Sequence, residues 1–208
     1  LEAEGLVVPA PGSGRYALGT RLMALASQSW DRLDLRRLAR PHLQALRDRL
    51  DETVHLALPA GDAMVYVDKL ESRQVVRMTS RIGTPVALHS SSVGKAWLAA
   101  LPEAEATALV ARLTLSARTP HTIQDSARLL EEVDRTRASG AAIDRQENEL
   151  DICCYGQAIP GPDRRPLGCV SVSMPRYRFE AAPAAPIEAA LRACVAAIAA
   201  ELGTVLPA

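Results

Sequence analysis

The segment 167–174 has the residue pattern of a strand with one small, polar face. Side chains alternate across a strand, so Cys169, Ser171 and Ser173 share one face and larger apolar side chains share the other. Small hydroxyl side chains leave space and supply hydrogen-bonding groups, which suits the floor of a pocket for a polar ligand. The alternative is a strand that turns these serines towards solvent.

The preceding strand, predicted over 153–159, repeats this pattern. Cys154, Gly156 and Ala158 fall on one of its faces, and all three are small. Two such strands either form the floor of a common pocket or pack closely under a helix. Asp144, near the end of another short strand, either adds a carboxylate to the rim of that pocket or caps a turn.

A helix is predicted to begin within 90–95 (SSSVGK). Backbone N–H groups at a helix start, with serine hydroxyls beside them, form a natural anion site. We therefore expect Ser92, Gly94 and Lys95 to contribute to ligand binding. A phosphate-binding loop of the form GxxxxGK[ST] is excluded, because Ala96 follows Lys95 where serine or threonine is required.

A cysteine nucleophile or a metal site is the alternative chemistry. Cys153 and Cys154 are the candidate nucleophiles, but a thiol needs a base, and no sequence signature links either one to a histidine. The cysteine and histidine spacings also match no zinc pattern, and buried cysteines usually act as small apolar residues. We expect no catalytic residue, no metal and no cofactor, and keep a cysteine-dependent enzyme as the alternative.

The elements that must position these residues occur in the order strands, helices, strands, helix. That order lacks the regular alternation of a parallel sheet, so it predicts an α+β fold in which helices are segregated against an antiparallel sheet. Hydrophobic periodicity, caps and turn residues indicate where each element begins and ends. Strands are predicted over 53–58, 63–69, 75–79, 141–144, 153–159 and 167–174, and helices over 90–101, 102–113, 125–140 and 186–202.

Two shorter features precede this region. The pattern of residues 1–18 indicates two short strands around a tip rich in proline and glycine, and apolar residues then recur at helical spacing over 20–30. A second helical stretch covers 35–50 and contains Pro41, which predicts a kink or a restart at that position.

The composition excludes some classes of protein. Lys+Arg and Asp+Glu both count 24, so the formal net charge is zero, and 48% of the residues are hydrophobic. A protein that binds nucleic acid through bulk positive charge would be distinctly basic, so any DNA contact must be local. No apolar run approaches the roughly 20 residues of a membrane helix, and the first residues do not form a signal peptide. The cysteine usage fits a reducing, cytoplasmic compartment.

Six groups of residues, in this order and at this spacing, together resemble the isocitrate lyase regulator (IclR-type) family of bacterial transcription regulators. The resemblance extends over essentially the whole chain, and no single motif carries it. The segments are 1–7 (LEAEGLV), 14–19 (GRYALG), 39–43 (ARPHL) with 52–56 (ETVHL), 89–96 (HSSSVGKA), 140–147 (GAAIDRQE) and 171–173 (SVS).

The resemblance implies a winged helix-turn-helix followed by a GAF-like effector-binding domain, with an antiparallel twisted sheet flanked by helices. It also implies assembly as a homodimer or tetramer. We expect residues 1–18 to be the C-terminal remnant of the DNA-binding domain, 19–33 a linker helix and 34–208 the effector-binding domain. Most of the helix-turn-helix, with the side chains that read bases, would then lie outside this sequence.

The resemblance also implies roles for individual residues. The wing residues Ser13, Arg15 and Tyr16 would touch DNA phosphate or the minor groove, contacts that position a protein rather than select a sequence. The expected protein is a regulator that senses a small anionic or hydroxylated metabolite, and a ligand-free dimerisation module stays open as an alternative. Small-molecule contacts are implied at Asp144, Cys154, Ser171 and Ser173 and at the helix start around Ser92 and Gly94.

Overall fold

The chain divides into two units. A computed structural model describes residues 1–10, 12, 14–22, 34–76, 78–161 and 165–205. The first unit is Leu1–Arg37 and the second is Leu38–Ala208, so the boundary falls within a helix and each unit is described by itself.

The first unit contains an antiparallel hairpin of strands β1 (Val7–Ala10) and β2 (Arg15–Leu18). Val7 pairs with Leu18 and Ala10 pairs with Arg15. The two short strands predicted from the sequence are therefore confirmed. Residues 20–22 are helical, whereas most of the predicted linker helix lies outside the described residues.

Helix α1 (Asp34–Leu50) carries Pro41 in its interior. The helix is unbroken at that residue, so the predicted restart is wrong. Ala39, Leu43 and Leu46 recur at helical spacing and are buried, which is the pattern of a helix that packs one face on a core.

The second unit is built on one six-stranded antiparallel sheet. Its strand order is β5-β4-β3-β8-β7-β6, which confirms the predicted antiparallel sheet of an α+β fold. The strands are β3 (Thr53–Ala60), β4 (Ala63–Leu70), β5 (Pro85–Ala87), β6 (Ala142–Arg145), β7 (Ile152–Pro160) and β8 (Pro166–Pro175).

The hairpin that joins β3 to β4 turns at Gly61 and Asp62. Gly61 has a φ of +61°, a conformation that glycine adopts without steric cost. The predicted hairpin is confirmed, although β3 runs two residues closer to the turn than expected.

The predicted strand over 75–79 is wrong. The Nζ of Lys69 donates hydrogen bonds to the carbonyl oxygens of Met78 and Ser80, both at 2.8 Å. A side chain therefore holds backbone acceptors that a neighbouring strand would otherwise take. The edge of β4 pairs instead with β5.

Three helices follow β5 and confirm the three helices predicted over 90–101, 102–113 and 125–140. The Ser91 hydroxyl accepts a hydrogen bond from the Gly94 amide at the start of the first, and Asp125 caps the third, which ends at Gly140 with a φ of +81°. Left-handed glycines are common at helix ends. These helices are α2 (Ser92–Ala100), α3 (Glu103–Arg112) and α4 (Ser126–Ser139).

Two helices follow β8. Helix α5 (Arg176–Ala181), which was not predicted, places Phe179 against Tyr155 of β7 with ring centroids 5.0 Å apart. Helix α6 (Ala184–Val205) was predicted with a slightly later start and an earlier end. Among the described residues, no helix is both long enough and apolar enough to cross a membrane.

Candidate functional site

A cavity of about 240 Å³ lies over one face of the sheet in the second unit. Strands β3, β4, β7 and β8 contribute to its lining, together with the start of α2 and the segments 78–84 and 148–149. Its buried polar lining residues are His55, Tyr66, Ser91, Ser92, Asp144, Cys154 and Ser173, and its exposed ones are Thr79, Arg81, Thr84, Arg118 and Glu149.

Strand pairing joins the small residues of β7 and β8 into one continuous face. Cys154 pairs with Ser173, Gly156 pairs with Ser171, and Ala158 pairs with Cys169. Ser171 is 1% exposed and Ser173 is 3% exposed. The solvent-facing alternative for these two serines is therefore wrong.

Helix α2 covers part of this face. A Cβ added to Gly156 would lie only 2.6 Å from the Ser92 carbonyl carbon and oxygen, so the backbones of β7 and α2 are in direct contact there. Close packing under a helix, one of the two sequence alternatives, is correct for Gly156. Cys154 and Ser173, further along the same face, line the cavity instead.

The start of α2 differs in detail from the predicted anion site. Ser92 lines the cavity, but the Gly94 amide donates to the Ser91 hydroxyl at 3.1 Å and the Lys95 amide donates to the Ser91 carbonyl at 3.0 Å. Both amides are thus used within the helix. A Cβ on Gly94 would lie 2.4 Å from the Cα of Leu88, so this glycine serves close packing.

The Lys95 ammonium group lies in a buried ion pair and not in the cavity lining. Its Nζ is 2.7 Å and 2.8 Å from the two carboxylate oxygens of Glu147, 2.5 Å from the Ile143 carbonyl and 3.4 Å from Glu132. The side chain of Lys95 is 0% exposed. A buried charge of this kind requires such partners, so the structure places Lys95 in a buried framework that α2 forms with Ile143 and Glu147.

Asp144 combines the two alternatives considered from the sequence. Its Oδ1 accepts hydrogen bonds from the backbone amides of Glu147 (2.7 Å) and Asn148 (3.4 Å), which caps a turn, and the residue also lines the cavity. Burial, reinforced by repulsion from Glu147, raises the pKa of Asp144 to about 7. The carboxyl group therefore exchanges its proton near neutral pH.

His55 is the central cavity residue that sequence reasoning missed. Its Nε2 is 2.7 Å from the Ser80 hydroxyl, while its Nδ1 is 3.4 Å from the Ser173 hydroxyl and 3.5 Å from the Ser171 hydroxyl. Burial, followed by the charge of Lys69, lowers the pKa of His55 to about 3. The ring is neutral at physiological pH and has one donor and one acceptor nitrogen.

Ser171 is not among the residues that line the cavity. It pairs directly with His55 across β8 and β3, and its hydroxyl approaches the His55 ring. Ser171 thus contacts a lining residue, and its own ligand contact stays a prediction. A polar His55 within an otherwise apolar strand was the available signal for this arrangement.

The surroundings of the Cys153 and Cys154 thiols raise their pKa values, which is the opposite of what a nucleophilic thiol needs. Burial raises the pKa of Cys153 to about 11 and, with repulsion from Asp144, raises the pKa of Cys154 well above its usual value. A reactive thiol requires a lowered pKa, so the enzyme alternative gains no support from these residues. In the part of the chain that the structure describes, no cluster of three or more ligating side chains is arranged to hold a metal.

The predicted DNA-contacting residues belong to the first unit. Arg15 and Tyr16 lie on β2 and are exposed, whereas Ser13 lies outside the described residues. Exposure on a short hairpin is compatible with a wing, and the DNA contact itself stays a prediction.

Residues 27–200 match the family described as "Bacterial transcriptional regulator IclR C-terminal". The chain belongs to the IclR family. The HTH-type transcriptional regulator Rv1719 of Mycobacterium tuberculosis is 39% identical over 180 residues, which cover 86% of this chain and 68% of that regulator. The family expected from the sequence is thereby confirmed.

Solved structures of the IclR family share this fold. The Thermotoga maritima IclR has a TM-score of 0.83 at 34% identity, and the match covers 97% of this chain and 81% of that chain. An IclR homologue of Microbacterium hydrocarbonoxydans, crystallised with 4-hydroxybenzoate, has a TM-score of 0.79 at 22% identity and matches 95% and 80% of the two chains. The predicted α+β fold of an IclR effector-binding domain is confirmed.

Proposed function

We propose that the second unit of this IclR-family regulator binds a small carboxylic or hydroxylated molecule in the cavity and that binding changes the regulator's affinity for its operator. The cavity itself carries this proposal: it is walled by buried hydrogen-bonding groups and has arginines at its mouth. A cavity on which several buried polar side chains converge is characteristic of a small-molecule binding site.

The cavity favours a small ligand with hydrogen-bonding groups along its length. A volume of about 240 Å³ is below the range of drug-sized pockets, roughly 300–1,000 Å³. The hydroxyl of Ser173, the thiol of Cys154 and the carboxyl of Asp144 offer hydrogen-bonding groups in the interior. The exposed guanidinium groups of Arg81 and Arg118 attract an anion to the mouth.

The 4-hydroxybenzoate bound to the Microbacterium homologue is a suitable first probe for this chain. It carries a hydroxyl group and a carboxylate, two kinds of group for which the polar lining offers hydrogen-bonding partners. Smaller hydroxy acids offer the same groups with a shorter spacing, so a panel of both kinds covers the ligand class.

Control of DNA binding requires that the ligand bind two states of the regulator with different affinities.

We further propose that Arg15 and Tyr16, with Ser13, contact the DNA backbone or the minor groove as wing residues. We also propose that the regulator works in the cytoplasm as a homodimer. Dimers match the two half-sites of a symmetric operator. A mass in light scattering equal to one chain would contradict the dimer.

The wing contact is testable through salt dependence. Arg15→Ala should weaken binding of the regulator to specific and nonspecific DNA alike, because a phosphate contact carries no sequence information. The slope of log affinity against log salt should fall by about 1. Fluorescence anisotropy at several salt concentrations measures both quantities, and an unchanged slope would contradict the contact.

The effector site is testable by a thermal-shift screen against small carboxylic, hydroxy and aromatic acids. A ligand that binds the folded chain raises its melting temperature by mass action. Ser173→Ala should weaken binding of a stabilising acid by about tenfold, the usual loss of one hydrogen bond. Ser171→Ala is the matched variant, on the same strand face but outside the lining, and should weaken binding less.

Each outcome of this screen bears on a different alternative. Equal losses in the two serine variants would overturn the assignment of Ser173 as the direct contact. No stabilisation by any acid would favour the ligand-free dimerisation module. Turnover of a probe would favour the enzyme alternative instead.

A further inference from the structure

We propose that Asp144 binds a carboxylate ligand in its protonated form, as a hydrogen-bond donor, so that each ligand anion enters the cavity with one proton on this residue. The inference rests on the proposed function and specifies its chemistry. On this inference, Asp144 accommodates a carboxylate ligand only while it holds a proton.

The two oxygens of Asp144 have different surroundings. Oδ1 receives the amide hydrogen bonds from Glu147 and Asn148. Oδ2 receives no hydrogen bond from the part of the chain that the structure describes, although the residue is 2% exposed and lines the cavity. Oδ2 is therefore the oxygen left for a ligand, and a proton on it would point to a ligand acceptor.

The Lys95 charge lowers the pKa of Asp144, but burial and the Glu147 charge outweigh it. The Nζ of Lys95 is hydrogen-bonded to both carboxylate oxygens of Glu147 and to the Ile143 carbonyl, with Glu132 at 3.4 Å. The single ammonium group of Lys95 therefore already faces the carboxylates of two glutamates, in addition to any charge on Asp144. An ionised Asp144 would add a further buried negative charge to this cluster.

A ligand carboxylate beside an ionised Asp144 would place two like charges together in a medium of low dielectric constant. Two carboxyl groups in that position share a proton, as the paired carboxyls of aspartic proteases do. The shared proton removes the repulsion and adds a short, charge-assisted hydrogen bond. A ligand carboxylate in the interior therefore requires the protonated form.

The other groups around Asp144 differ from it in their charge environment. Burial also raises the pKa of Glu147, but the charge and hydrogen bonds of Lys95 oppose that shift. Burial raises the pKa of Cys153, Cys154 and Tyr66, so these groups stay protonated, and His55 stays neutral. Lys95 with Glu147 and Glu132 forms the ion cluster on one side. The charged groups at the mouth are Arg81, Arg118 and Glu149.

The direction of the pH dependence follows from these charges. With a pKa of about 7 for Asp144 in the free chain, the protonated form predominates below that pH and binding is insensitive to pH. Above it, a proton must be taken up for each carboxylate bound. The dissociation constant should then rise by up to about tenfold per pH unit, the limit for uptake of one proton.

The experiment is a calorimetric titration of the whole chain with 4-hydroxybenzoate, benzoate and glycolate at pH values from about 5.5 to about 8.5. Repeating it in two buffers with different ionisation enthalpies counts the protons taken up. We expect uptake near zero at the lowest pH and approaching one at the highest. Asp144→Asn keeps an oxygen for the two amides and a donor for the ligand, so it should bind with a dissociation constant that no longer varies with pH.

Asp62→Asn is the matched control, since it removes one carboxylate from the exposed β3–β4 turn, and its pH dependence should equal that of the unaltered chain. Binding without proton uptake, or a persistent pH dependence in Asp144→Asn, would overturn the inference and leave the proposed function standing. If none of the three acids binds even at about pH 5.5, the carboxylate ligand is overturned, and with it this inference.

Discussion

The small-residue face of β7 and β8 has two halves with different surroundings. In one half, Gly156 lies directly beneath the Ser92 backbone, too close to accept a methyl group. In the other half, Cys154 and Ser173 have the same small size and pair directly with each other, yet they border a cavity. Residue size alone therefore does not distinguish a packed surface from a binding surface.

What distinguishes the halves is how the polar groups beside them are satisfied. Behind the closed half, the Lys95 ammonium group meets protein oxygens. At the open half, Asp144 keeps one oxygen without a protein donor among the described residues. The Lys95 cluster has its hydrogen bonds completed within the protein, whereas Asp144 keeps an oxygen for a ligand. A rigid cluster of this kind is suited to holding a neighbouring ligand site in position.

The largest effect is expected from Lys95→Met, which removes the cation of the closed half. Glu147 would be left as a buried, unpaired carboxylate, a loss of about 3–5 kcal/mol in the free energy of unfolding. Urea unfolding at neutral pH measures it. The double variant Lys95→Met/Glu147→Gln should recover part of the loss, because no unpaired charge remains.

A loss below about 1 kcal/mol in Lys95→Met would contradict the closed framework. It would mean that water reaches Glu147 and that the two halves of the face do not differ in the way described here.

A smaller effect is expected from Gly156→Ala. The new methyl group would meet the Ser92 backbone at 2.6 Å, and backbone atoms cannot rotate away, so α2 must shift. Overpacking of this kind costs about 1–3 kcal/mol. Gly203→Ala in α6 is the matched control, since a Cβ there meets nothing within 4 Å and helix propensity favours alanine.

The same unfolding measurement applies to both glycine variants. Gly203→Ala should be neutral or slightly stabilising. If Gly156→Ala were as stable as that control, the contact between β7 and α2 would be looser than the structure indicates, and the distinction between the two halves would weaken.

Most of the fold was predictable because its signals are local. Ser91, Asp125 and Gly140 mark helix ends by their own hydrogen-bonding and backbone properties, and alternation in 167–174 fixed which side chains share a face. The segment 75–79 misled because its β-branched residues favour a strand, whereas the hydrogen bond from Lys69 to the Met78 carbonyl oxygen is a side-chain contact that the strand pattern does not reveal.

The candidate site was predictable in part. Ser92, Asp144, Cys154 and Ser173 were expected to bind a ligand, and the structure places all four at the cavity. Gly94 and Lys95 shared the helix-start pattern but use their amides within the helix. For Gly94 the outcome depends on the rotamer of Ser91, which composition and spacing do not reveal.

The missed residues His55, Tyr66, Arg81 and Arg118 come from other elements and loops. Pairing of β3 with β8 and with β4 brings His55 and Tyr66 to the cavity, and the segments between the regular elements bring Arg81 and Arg118 there. A single sequence carries no information on such long-range pairings beyond the hydrophobic pattern, so this part of the site required the folded structure.

The most direct test of the central claim is a nuclear magnetic resonance titration of the isotopically labelled chain with the acid panel. The account predicts that a bound acid shifts the amide signals of Asp144, Cys154 and Ser173 and leaves those of Ala158 and Cys169, at the far end of the same face, nearly unmoved. Shifts concentrated at Ala158 and Cys169, or no shift with any acid, would contradict a ligand site at the open half.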